Sequence, residues 1–327
     1  MRRRHFLALL GGASLLSTTG LSSGQAQSQT PVIGFLHSAS LEPNRKRLEG
    51  FRRGLRKAGL VEGENVAIEF RWADGQNAQL PQLATELARK PVNIIVTLSS
   101  TPATLAAKAA TASVPIVFLI AEDPVELGLA TSLNRPGGNA TGISSQNAEL
   151  VAKRLGLLRE IAPRTTEFAV LLNPNSPSAK QVSATLQTAA TSLGVKLSEL
   201  KAGNEAEIEA AYRSLNPGSA LLISTNPFLF SRRAQLVALS ARQAVPTMYD
   251  NRESAEAGGL MSYGQNTEIS WEQAGMIVGR ILKGEKPADL PVAQPTRFDF
   301  VINLKTARAL GLDVAPALVA RADEVIE

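Results

Sequence analysis

The residues Val92–Pro124, VNIIVTLSSTPATLAAKAATASVPIVFLIAEDP, constrain the fold of this chain more than any other stretch. Two runs rich in Val and Ile, Val92–Leu98 and Val114–Ile120, have the length of strands buried on both faces. Between them Pro102–Thr111 is Ala-rich, with high helix propensity and proline at a first helical position. The pattern is a βαβ unit, which commits this part of the chain to a parallel sheet flanked by helices. Polar residues collect where its strands end: Ser99, Ser100 and Thr101 after the first, Glu122 and Asp123 after the second. Ligands of open parallel sheets sit at those carboxyl ends.

The same alternation extends in both directions. Upstream, Pro31–His37 reads as a buried strand, Asn44–Ala58 as a helix with Leu48, Phe51 and Leu55 in its apolar stripe, Glu64–Trp72 as an alternating strand and Asn77–Arg89 as a helix. Downstream, Val125–Leu133 is predicted to be a short helix halted by the turn residues RPGGN at 135–139, before a strand Thr141–Ser144 and a helix Glu149–Ile161. A second set runs from strand Glu167–Leu172 through helices and strands to Leu260–Tyr263. The late elements, helix Ile269–Lys283, strand Phe298–Asn303, helix Leu304–Leu310 and a helical tail from Ala317, are expected to return to the first set. The expected architecture is two doubly wound, Rossmann-like α/β lobes, 31–146 plus about 265–327 and 147–264, with a ligand cleft between them. Several crossings between lobes would form a hinge.

Residues 1–26, MRRRHFLALLGGASLLSTTGLSSGQA, combine a basic start, an apolar run and small residues, the pattern of an export signal cleaved after Ala26. Arg3-Arg4-His5-Phe6-Leu7 resembles a twin-arginine signal. No later segment approaches the roughly 20 apolar residues of a membrane span, so the mature chain is expected to be exported. Removing residues 1–26 takes away three arginines and no acid, lowering the formal charge from +5 to +2. No basic stripe remains, which argues against nucleic acid as a partner. Cysteine is absent, excluding disulfides, thiolate catalysis and Cys-ligated metals.

Catalysis has few candidates. His37 is the one histidine after the signal, and no GxSxG, HExxH, GxGxxG or GxxxxGK[ST] motif occurs after residue 26. No catalytic residue, cofactor or metal is therefore assigned; the alternatives kept open are an exported α/β hydrolase using His37 and the ligand-sensing subunit of a signalling system. The polar residues that follow strands are the binding candidates: Ser38, Ser99, Ser100, Thr101, Asp123, Asn173, Asn175, Ser176, Asn226 and Asp250, with Tyr249 as an aromatic neighbour. Each also suits helix capping, and capping is compatible with anion binding at a helix N-terminus. Of the adjacent pair Glu122 and Asp123, one is expected to meet the ligand and one the solvent. Ser99–Thr101 would suit a carboxylate and Asp123 an ammonium group, the two charges of an amino acid.

Longer stretches carry a resemblance: VIGFLHSAS, GFRRGLRKAGLVEGENVAIEFRWADG, LPQLATELARKPVNIIVTLSSTPATLAAKAATASVPIVFLIAEDPVELGLATSLNRPGGNATGISS, EAGGLMSYG and KGEKPADLPVAQPTRFDFVINLKTARALGL. They resemble the substrate-binding protein family of ABC transporters that includes tryptophan- and tyrosine-binding members, over about residues 31–327. Departures fall at Asn93 and at LSST, 98–101. The resemblance implies a periplasmic binding protein of the type I-like fold that holds a small solute between two closing lobes, with an inner-membrane ABC permease as partner; a monomer is expected. It also implies that the loops carrying Ser38, Ser99–Thr101, Asp123, Asn173–Ser176, Asn226 and Asp250 face the cleft.

Overall fold

Two sheets, one parallel and one parallel but for a single pair of strands, each clad in helices, make up the described residues. The computed structural model describes residues 30–145 and 148–327; the expected export signal, 1–26, lies outside them. In the first lobe the strands are β1 (Val32–His37), β2 (Ala67–Trp72), β3 (Ile94–Leu98), β4 (Ile116–Ile120) and β5 (Ala140–Ser144), with helices α1 (Leu41–Lys57), α2 (Leu80–Arg89) and α3 (Thr101–Ala110) between them. The second lobe follows with α4 (Ala148–Ile161), β6 (Glu167–Leu172), α5 (Ala179–Leu193), β7 (Lys196–Lys201), α6 (Glu205–Arg213), β8 (Ala220–Ile223), α7 (Pro227–Ser231), α8 (Arg233–Arg242), β9 (Thr247–Tyr249), α9 (Arg252–Glu256) and β10 (Met261–Gln265). Last come α10 (Thr267–Leu282), β11 (Phe298–Asn303), α11 (Leu304–Ala309), α12 (Pro316–Val319) and β12 (Glu324–Ile326).

The first sheet has the order β2-β1-β3-β4-β5, the second β12-β11-β10-β9-β8-β6-β7. Every pairing is parallel except β10 with β11. The apolar runs of the βαβ unit are buried throughout because the two faces of the sheet serve different layers. Ile94, Val96 and Leu98 pack with α1 and α10, whereas Ile95 faces the layer of α2 and α3. A fully buried Ile, Leu or Phe of this kind contributes about 1.5–3 kcal/mol.

Two expectations differ from the structure. Residues 125–133 form turns instead of a helix: Leu129 N–H closes onto the Pro124 carbonyl at 2.8 Å, and Gly128 takes a left-handed φ of 68° that a helix cannot continue. The late segment also divides between the lobes. Helix α10 joins the first lobe, burying Trp271, Ala274 and Val278 with Phe35 and Phe51, but β11 and β12 extend the second sheet. A sheet edge exposes unpaired N–H and C=O groups, and β11 takes up the open edge of β10 in antiparallel register, Met261 opposite Ile302. On the first lobe, a bridge between Ile143 and Ala293 meets β5 instead. The chain thus passes between lobes after β5, after β10 and again between Leu290 and Phe298.

Helices α1 and α10 approach so closely that only glycine fits between them. A Cβ at Gly54 would stand 1.9 Å from the Glu272 carbonyl oxygen, and one at Gly275 2.4 Å from that of Phe51. Arg53 and Lys57 seal the seam by pairing with Glu268 and Glu272. Gly54→Ala must therefore push the helices apart, with an expected loss of about 1–3 kcal/mol in urea unfolding. Gly156→Ala in α4, where a Cβ meets nothing within 4 Å, is expected to gain about 0.5–1 kcal/mol in the same measurement.

Candidate functional site

A cavity of about 320 Å³ lies between the lobes, walled by the carboxyl ends of strands from both sheets. That size is near the lower end of small-molecule sites, roughly 300–1,000 Å³. From the first lobe come Ser38 after β1, Ser99 and Thr101 after β3, and Glu122 after β4. The second lobe contributes Asn173, Asn175 and Ser176 after β6, Asn226 and Phe228 after β8, Asp250 after β9 and Gln265 at the end of β10. Two helices add one guanidinium each, Arg47 from α1 and Arg154 from α4.

The strand-end loops are held by side chain to backbone bonds. Asn226 Oδ1 accepts the N–H groups of Phe228 and Leu229, capping α7, and also accepts from Asn173 Nδ2 at 3.2 Å. Ser99 takes a left-handed φ of 54°, uncommon for a residue with a side chain. Its hydroxyl accepts the Trp271 indole N–H at 2.9 Å, which ties the cavity wall to α10. Thr101 donates to a Glu122 carboxylate oxygen at 2.5 Å, and Ser144 fixes the Glu122 backbone by donating to its carbonyl at 2.8 Å.

Arg154 is the least ordinary group in the wall. It is 1% exposed, on the same face of α4 as Val151, Leu155 and Leu158. Nε donates to the Tyr263 carbonyl at 2.6 Å and Nη1 to Thr225 at 3.1 Å, which leaves donors of its five without a partner among the described residues. Burial lowers its pKa from the ordinary arginine value, opposed by the nearby charge of Asp250. Asp250 can come this close because Gly264 has no side chain: a Cβ there would stand 1.9 Å from the Asp250 carbonyl oxygen and 3.4 Å from Arg154 Nη2.

Arg47 differs because its charge is already matched. It pairs with Glu253 of α9 at 2.8 Å, with both side chains largely buried, and its guanidinium lies 3.4 Å from the centre of the Phe230 ring. Burial alone would raise the Glu253 pKa, but Arg47 and the more distant Arg233 hold it below the usual carboxylate value. With Lys46 and Glu256 at 3.1 Å beside it, this pair joins α1 of the first lobe to α9 of the second.

Eight of the residues chosen at strand ends line the cavity: Ser38, Ser99, Thr101, Asn173, Asn175, Ser176, Asn226 and Asp250. Ser100, Asp123 and Tyr249 do not. Ser100 is fully buried, donating to Ser38 Oγ at 2.8 Å and capping α3. Asp123 caps its own turn, accepting from Val125 N–H at 2.7 Å, and its neighbour Glu122 takes the place at the wall. Tyr249 faces α8, buried with its hydroxyl 3.1 Å from Ser240. Arg47, Arg154, Glu122, Phe230 and Gln265 were not selected from strand ends; the signal for the two arginines was a charge on the apolar face of a helix.

His37 is not part of the wall. It is 1% exposed among Phe35, Trp72 and Trp271, and its Nδ1 accepts the Ala39 N–H at 2.9 Å. Burial and the charge of Arg47 push its pKa down to about 3, so the imidazole is neutral and enclosed, which removes it as a general base. Because the folded pKa lies below the unfolded value of about 6.5, the stability tied to neutral His37 is complete above pH 6.5 and is lost as pH falls toward 3. Between pH 7 and 4.5 the stability difference between the native chain and His37→Phe is expected to shift in favour of the variant by roughly 2 kcal/mol, at about 1.4 kcal/mol per unit. A pH-independent difference in chemical denaturation would show that His37 is not held neutral.

Comparison with known proteins places the chain in a family. Residues 31–326 match the model of the ABC transporter substrate binding protein family. A tyrosine-binding protein of Clostridioides difficile is 26% identical over 268 residues, covering 82% of this chain and 77% of that protein. Among solved structures, a conserved domain protein from Vibrio cholerae is similar with a TM-score of 0.84 and 26% identity, over 91% of this chain and 100% of that one. An ABC domain in complex with L-Trp from Streptococcus pneumoniae has the same fold, with a TM-score of 0.82 at 23% identity, over 91% of this chain and all of that one.

Proposed function

The chain belongs to the ABC transporter substrate-binding protein family, and from that membership we propose that it is the periplasmic receptor of an uptake transporter, binding an α-amino acid between its lobes and delivering it to an inner-membrane permease. The observation that carries the ligand class is Arg154. A buried guanidinium with donors to spare, facing a cavity, calls for an anion, because an unpaired buried charge costs several kcal/mol. Asp250 on the same lobe supplies the opposite charge. One cation and one anion side by side match the carboxylate and ammonium of a zwitterion. The tyrosine-binding and L-Trp-bound relatives support the same class. The family is one of binding proteins rather than enzymes, in keeping with the enclosed His37.

In the proposed cycle the ligand docks first on the second lobe, through Arg154, Asp250 and the Asn173–Asn226 pair. The first lobe then closes with Ser38, Ser99, Thr101 and Glu122. Closure is driven by the ligand's greater affinity for the closed form, and the Arg47–Glu253 pair adds a contact between the lobes. The joined surface of both lobes is what a permease would read.

Two measurements test the reading. In a thermal-shift screen of the mature chain against the standard amino acids, at least one is expected to stabilise the protein, by about 2.7 kcal/mol at a hundred times its dissociation constant. Arg154→Met is expected to weaken that ligand by roughly 2–5 kcal/mol, about 30-fold or more in Kd. An unchanged Kd would remove Arg154 from the site. For export, N-terminal sequencing of the protein recovered from the periplasm is expected to begin at Gln27; an intact Met1 would overturn the cleavage of residues 1–26.

A further inference from the structure

After the charges of an amino acid backbone are placed, the cavity still holds unmet acceptors. Glu122 lines the wall from the first lobe, half-buried, with Thr101 as the donor to its carboxylate and no cation paired to it among the described residues. Arg47 is paired with Glu253 at 2.8 Å and makes no hydrogen bond to Glu122. Gln265 Oε1 is buried at the same wall and accepts no hydrogen bond among the described residues. The aromatic lining is thin: Trp72, Tyr249, Tyr263 and Trp271 do not line the cavity, leaving Phe228 and Phe230. The Phe230 ring already carries the guanidinium groups of Arg47 at 3.4 Å and Arg233 at 4.5 Å, so little aromatic surface remains for stacking.

Resting on the amino acid reading above, we infer that the cleft selects an amino acid with a second cationic group, a diamino or guanidino acid, whose side chain is received by Glu122 with Gln265 as a further acceptor. Arg154 takes the α-carboxylate and Asp250 the α-ammonium. Among the groups left are one carboxylate without a cation and one amide oxygen without a donor, beside the hydroxyls and amides of the wall. A ligand with an apolar side chain would enclose Glu122 without a partner, which a polar site penalises heavily. A cationic side chain reaching across from the second lobe to Glu122 satisfies it and ties the two lobes together. Selection then comes from the penalty on the wrong ligand as much as from attraction for the right one.

Isothermal titration of the mature chain with L-lysine, L-ornithine, L-arginine, L-leucine, L-tyrosine and L-tryptophan tests this. The expected result is binding of at least one of the first three at least tenfold tighter than any of the neutral ones, with the preference reduced to less than threefold in Glu122→Gln. Binding of a neutral amino acid with equal or greater affinity in the native chain overturns the inference and leaves the amino acid reading in place. Binding of none of the six overturns the inference, and an empty screen of all standard amino acids overturns the underlying reading with it. A preference for basic ligands that persists unchanged in Glu122→Gln also overturns the inference, since Glu122 is then not the selecting group.

Discussion

The cleft depends on the contact between α1 and α10. With Gly54 and Gly275 at the crossing, the backbone of one helix lies against that of the other, and α10 becomes an integral part of the first lobe although it begins where β10 of the second lobe ends. The passage between lobes at Gln265–Thr267 is therefore short and anchored at both ends. Asn266 caps α10 through Ile269 N–H and donates to Asp299 of β11 at 2.8 Å, and Asp299 also accepts from Arg252 of α9. Two of the three crossings are thus bonded to each other. Motion about them is confined to few torsions, and any movement of α10 is passed to the cavity wall through the Trp271–Ser99 hydrogen bond.

Much of this was legible in the residues themselves. Strands buried on both faces read as continuous apolar runs, and the polar residues after them stand at carboxyl ends whatever the details of packing, so most strand-end candidates reach the cavity. The failures are one residue wide. Glu122 and Asp123, Ser99 and Ser100, Tyr249 and Asp250 are neighbours, and a shift of one position at a strand end turns a side chain from the cleft to the opposite face. Nothing local decides that register. The destination of β11 was equally hidden, because both lobes offered open edges and the choice is made by the tertiary partner.

The arginines on helices show a different limit. Arg47 and Arg154 occupy apolar helix faces, Arg47 beside Leu48 and Phe51 and Arg154 between Val151 and Leu158, where a charge is expensive. That anomaly is readable, but its meaning depends on partners that only the fold supplies. For Arg47 the fold provides Glu253 and the Phe230 ring, so the cost of burial is offset within the protein. For Arg154 it provides hydrogen bonds to a carbonyl and a hydroxyl, with the charge of Asp250 nearby but not hydrogen-bonded to it.

The distinction between these two groups gives the cleft its division of labour. A charge that is satisfied by the other lobe favours the lobes being together whether or not a ligand is present. A charge left without its counter-ion favours them being together only when a ligand brings one. Glu122, with no cation paired to it among the described residues, falls in the second class from the first lobe, and Arg154, with Asp250 near but not hydrogen-bonded to it, stands between the two classes on the second. On the proposed cycle, a ligand carrying the complementary charges would convert desolvation penalties into ion pairs on closure, and its binding energy would then be expressed chiefly in the closed state, which is the condition for a population shift.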